Sequence, residues 1–143
     1  MPDQAGESAP VGLLLSDDMI FTSRITGTAR ALGITMKPAR SSDVLLAMAQ
    51  QHTPALVLID LSNPGLQLPE LLQALRTSSS SMPRMVAYGS HVDAAVLRAA
   101  REAGCDPVLP RSKFVEELPR ALPEWMRAGT DARIKVRGGV APK

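Results

Sequence analysis

LVLIDLSNPG, at residues 56–65, puts four uninterrupted apolar side chains, an acid and a turn into ten positions. The run Leu56, Val57, Leu58 and Ile59 is too short for a stable helix and shows no polar alternation. Such a run reads as a strand buried on both faces, the kind found in parallel sheets covered by helices on either side. It ends on Asp60, and the Ser-Asn-Pro-Gly that follows carries turn chemistry.

Outward from this strand, short apolar runs alternate with longer segments of helical period, the pattern of β-α units feeding a parallel sheet. Strands are expected at residues 11–16, 34–38, 55–60, 84–88 and 107–110. Phe21, Ile25, Thr28 and Leu32 recur at helical spacing, and Gly33 stands where a C-terminal cap belongs. Helix two is expected over 43–51, and helix three over 68–77 with Leu68, Leu71, Leu72 and Leu75 on one face; 77–81 reads as a loop. Val92, Val96, Ala99 and Ala103, closed by Gly104, give helix four, with Ser90 and Asp93 spaced as a capping box. A fifth helix should begin near Ser112 and be short or kinked, because Pro119 and Pro123 each remove a backbone donor. Right-handed crossovers then produce an α/β fold, a doubly wound five-stranded parallel sheet with helices on both faces. Lys37 and Pro38 suit an edge strand, which implies the order 2-1-3-4-5.

The 143 residues suffice for one compact domain and are too few for two ordinary ones. With 45% hydrophobic and 21% charged residues, the chain belongs with soluble globular sequences. Residues 1–10 have no basic n-region, and the apolar run at 11–15 is too short to span a bilayer, so a cytoplasmic protein without membrane contact is expected. Cys105 can close no internal disulfide and has no partners at metal-ligand spacing, which fits a reducing compartment. The expected organisation is a flexible N-terminus at 1–10, a domain at 11–123 and a basic, disordered tail at 124–143. That tail has five Lys/Arg against two Asp/Glu, but its spread charges and lack of aromatic interleaving argue for solvated chain rather than nucleic-acid binding.

In open α/β sheets ligands bind at the carboxyl ends of the strands, where the strand order reverses. The residues there are Asp17 and Asp18 after strand one, Asp60 after strand three, Gly89 or Ser90 after strand four, and Arg111 after strand five. Strands one and three are neighbours in the expected order, so three carboxylates would converge and require a cation, for which Mg²⁺ is suited. A carboxylate beside such an ion can attack phosphorus and form an aspartyl phosphate, and Asp60 is the candidate. Plainer roles stay open: Asp17 or Asp18 can cap the next helix, Ser90 can cap helix four, and Asp60 can belong to an ordinary turn. His52 and His91 stand apart from one another and read as surface residues.

Three stretches together resemble the response-regulator receiver family over residues 11–122: GLLLSDD at 12–18, LVLIDLSNPG at 56–65 and AREAGCDPVLPRSKF at 100–114. The resemblance implies a flavodoxin-like fold and a phospho-acceptor at Asp60. It also implies Mg²⁺ held by Asp17, Asp18, Asp60 and the backbone carbonyl of Ser62. Phosphate contacts would fall to Arg111, in the family's lysine position, and to Gly89 or Ser90, where the family has a hydroxyl. The departures are specific. Gly89 has no hydroxyl, Arg111 is followed by Ser112 rather than proline, Lys113 is a second candidate cation, and Val108 stands where a switch aromatic is expected.

The resemblance implies a two-component signalling module that meets a histidine kinase or another signalling protein, either as a phospho-acceptor or as a docking domain with no output domain attached. A homodimer through helix four, strand five and helix five is a further expectation from the family. A phosphorylation-independent pseudo-receiver is the main alternative. A Mg²⁺-dependent phosphotransferase or phosphatase ranks below both, because no separate general acid or base is visible, and the chain is therefore read as a non-enzyme.

Overall fold

The computed structural model describes residues 10–78 and 82–139. Its strands are β1 (Val11–Leu15), β2 (Thr35–Ala39), β3 (Leu56–Asp60), β4 (Arg84–Gly89) and β5 (Val108–Pro110). The helices are α1 (Met19–Ala31), α2 (Ser42–His52), α3 (Leu68–Ser78), α4 (Ala94–Ala103) and α5 (Arg111–Gly139). The sheet is parallel throughout with order β2-β1-β3-β4-β5, as expected. Strand edges differ from the expected ones by one residue in places, and Gly89 falls inside β4 rather than after it. Residues 1–9, part of the expected flexible N-terminus, lie outside the described residues, as do 79–81 of the expected loop.

Alternate strand side chains divide the core in two. Leu13, Leu15, Val57, Ile59, Met85 and Ala87 face α2, α3 and α4 through Leu45, Leu72, Leu75 and Leu97. Leu14, Leu56, Leu58, Val86 and Tyr88 face α1 and α5 through Ile25, Ala29, Phe114, Leu118 and Trp125. Both faces being covered is the physical reason why β1, β3 and β4 lack polar alternation.

Two helices depart from expectation. In α4 the buried residues are Leu97 and Ala100, whereas Val92 is 74% and Val96 43% exposed. The helix starts at Ala94 after Asp93, so Ser90 is not its cap. The Ser90 hydroxyl instead accepts from the Val92 N–H at 3.3 Å, and the Ser90 carbonyl accepts from the Asp93 N–H at 3.0 Å. These bonds make a turn ahead of the helix, so Val92 lies outside it, while Val96 is on its exposed side.

The second departure is α5, which runs unbroken through Pro119 and Pro123 to Gly139. Each proline deletes one intrahelical bond, but Phe114, Leu118, Ala121, Leu122, Trp125 and Met126 form a continuous apolar stripe buried against the sheet. Packing of that stripe outweighs the local cost, as tertiary contacts commonly do for helices. The expected boundary at 123 falls within this helix, whose packed face includes Trp125 and Met126; residues 140–143 lie outside the described residues.

Candidate acidic site at the carboxyl edge of the sheet

The parallel register pairs Leu15 of β1 with Ile59 of β3, so the next residue of each strand, Ser16 and Asp60, come side by side. Both are buried. The Ser16 hydroxyl donates to Oδ2 of Asp60 at 3.2 Å and accepts from the Asp18 N–H at 3.1 Å. The other carboxylate oxygen, Oδ1, accepts from the Ser62 N–H at 2.9 Å and from the Ser62 hydroxyl at 2.7 Å. Arg111, the first residue of α5, places its guanidinium 3.8 Å from the same oxygen and donates to the Ser62 hydroxyl at 3.2 Å. A buried carboxylate is tolerated when it is paired and hydrogen-bonded, and here both oxygens are.

The two acids after β1 are turned to other work. Asp18 caps α1, accepting from the Phe21 N–H at 3.0 Å. Asp17 is exposed and pairs with Arg40 at 3.2 Å. Among the described residues no three His, Cys, Asp or Glu side chains gather closely enough to hold a metal ion. Asp17, Asp18 and Asp60 are each engaged by a different protein partner in this structure. A hydroxyl, Ser16, stands beside Asp60, and a protein cation, Arg111, brings positive charge to it. A divalent ion, which takes oxygen ligands, would have to compete with Ser16, Ser62 and Arg111 for the Asp60 oxygens.

The remaining expected site residues separate. Gly89 ends β4, is buried and carries no hydroxyl, and the Ser90 hydroxyl accepts from the Val92 N–H. Lys113 pairs with Glu117 at 3.4 Å on the outer side of α5, leaving Arg111 as the cation of the site. Val108 is buried and non-aromatic as read, yet an aromatic does approach the pocket from β4. Tyr88 pairs with Asp60 in the β3–β4 register, is fully buried, and stacks on Phe114 at 4.4 Å between ring centroids. Burial and then the Asp60 charge push its phenol well above the ordinary tyrosine range, with the Ser16 side chain partly opposing the rise. The Tyr88 hydroxyl is buried without a well-formed hydrogen bond. Ser16, Arg40 and Tyr88 were not singled out from sequence. The one-to-one register of β1 with β3 is the signal that would have found Ser16.

No family model matches the sequence, and no curated protein matches it. Solved structures do match the architecture. The signal receiver domain of an HD domain-containing protein from Pseudomonas fluorescens superposes with a TM-score of 0.75 at 20% identity, covering 89% of this chain and 93% of that one. A receiver domain of a Francisella response regulator gives 0.70 at 18% identity, covering 83% and 98%. This chain has the receiver fold. NtrX from Brucella abortus, a longer protein, aligns over 90% of this chain and 29% of its own length with a TM-score of 0.76 at 18% identity. No helix among the described residues is long and apolar enough to cross a membrane.

Proposed function

We propose that this chain is a receiver-type signalling domain that acts by docking a protein partner, with Asp60 neutralised from within rather than switched by phosphorylation. The observation that carries the proposal is the engagement of both Asp60 oxygens by protein groups, Oδ2 by Ser16 and Oδ1 by Ser62 and Arg111. An aspartate so engaged is a poor nucleophile, because attack on phosphorus would break these charge-assisted bonds. Gly89 offers no hydroxyl to follow a phosphoryl group, and Ser90 lies one residue further on, in the turn before α4. A histidine kinase or another signalling protein is the partner class that the fold suggests, and a soluble, cytoplasmic setting agrees with this role. Catalytic turnover is not part of the proposal. Around Asp60 the groups in contact are two hydroxyls, a backbone N–H and a guanidinium, none suited to general acid–base work near neutral pH.

Incubation with acetyl phosphate and Mg²⁺, followed by intact-mass analysis, tests the proposal. The expected result is no adduct, or a small fraction of one. A stoichiometric adduct that disappears in Asp60→Asn would establish Asp60 as a phospho-acceptor and overturn the docking-only reading.

A further inference from the structure

Beside the Asp60 pocket, a crevice of about 680 Å³ opens between the start of α1, the turn before α4 and the start of α5. Ile20, Phe21 and Val115 supply apolar wall, and Arg24, His91 and Arg111 stand around it, with no carboxylate among the residues that line it. Its volume falls within the range of small-molecule sites, which join apolar walls to a few placed polar groups. Ile20 is left 80% exposed, a large aliphatic side chain with no cover of its own. Arg24 makes no ion pair among the described residues. The Arg111 guanidinium lies 5.7 Å over the centroid of the Phe21 ring, so cation and aromatic form one corner of the crevice.

We propose that this crevice binds a small amphiphilic anion, a carboxylate or phosphate group carried on an aromatic or branched aliphatic body. The acidic group would sit between Arg24 and Arg111, and the body against Ile20, Phe21 and Val115. Charge complementarity points to the anion, since two guanidiniums border the crevice, its lining holds no carboxylate, and the one acid paired with them among the described residues is Asp60, behind Arg111. Arg111 also holds Ser62 and Asp60, so a bound anion competes with Asp60 for the same guanidinium. Occupancy is therefore felt at the buried carboxylate. The site does not depend on whether Asp60 accepts a phosphoryl group.

Titration of the ¹⁵N-labelled full chain with phenyl phosphate, and separately with phenylacetate, tests the proposal and separates the two acidic groups. Saturable amide shifts are expected at Ile20, Phe21, His91 and Ser112 with at least one probe, extending to Ser62. Arg24→Ala should weaken binding by about fivefold, as loss of one partly exposed ion pair does. The variant's melting temperature should be unchanged, since Arg24 is exposed. Inorganic phosphate should bind at least about tenfold more weakly, because it leaves the apolar wall uncovered. No saturation with either probe would overturn the proposal, as would equal affinity for inorganic phosphate or no loss in Arg24→Ala. Binding of an acidic amphipathic peptide at these residues, with neither small anion bound, would assign the crevice to protein docking instead.

Discussion

Ser16→Asp turns the reading of the Asp60 pocket into a measurement. The wild-type hydroxyl lies 3.2 Å from Oδ2 of Asp60, so a carboxylate grown from the same Cβ would stand within about 4 Å of it. Two like charges at that distance repel by about 4 kcal/mol at an effective dielectric constant near 20. The substitution also removes a hydrogen bond to a charged group, worth about 1.5–3 kcal/mol. In EDTA the variant should therefore melt well below wild type. Adding Mg²⁺ should restore much of the loss, because two adjacent carboxylates are the donor set that the native site lacks. Wild type itself should show no Mg²⁺ dependence beyond that of NaCl at equal ionic strength. Thermal denaturation of both proteins across a Mg²⁺ series is the assay. Saturable Mg²⁺ stabilisation of wild type, with amide shifts clustered at Asp17, Asp18 and Ser62, would refute the reasoning and return the site to the expected metal centre.

Trp125 is 6% exposed and stacks near Phe114 at 5.8 Å, so Trp125→Ala should cost about 3–5 kcal/mol. At the chain's size this lowers the melting temperature by roughly 10–15 °C, and an unchanged value would mean that the end of the packed helix carries no load. Burial pushes the Cys105 thiol up to about 11. Below the ordinary thiol range, about 8.5, its neutral form costs the fold nothing; stability is lost as the pH rises towards 11, because the unfolded chain ionises first. Denaturant titrations from pH 8 to 11 should show that decline, reduced in Cys105→Ala, and alkylation of the native thiol should be slow until the protein unfolds.

The five β-α units, the parallel sheet and the strand order were legible in the sequence because burial on both faces leaves a strong local mark, the uninterrupted apolar runs at 11–15 and 56–59. Lys37 and Pro38 marked the edge strand for an equally local reason, since proline cannot donate to a ladder on both sides. The phase of α4 was not legible, because Val92 and Val96 satisfy helical spacing as well as Leu97 and Ala100 do, and only the position of the sheet selects between the two faces. In α5 two prolines predicted an early stop, and a stripe of apolar contacts reaching Met126 overrode them. The site divides the same way. Residue type and order alone put Asp60 and Arg111 at the carboxyl edge, and there they meet, 3.8 Å apart. Which acid or hydroxyl stands beside Asp60 depends on inter-strand register, and that register chose Ser16 while sending Asp18 to a helix cap and Asp17 to Arg40. Local sequence thus determined which elements form. The tertiary structure decided which side chains meet, because a shift of one residue in register moves a different chemistry into contact.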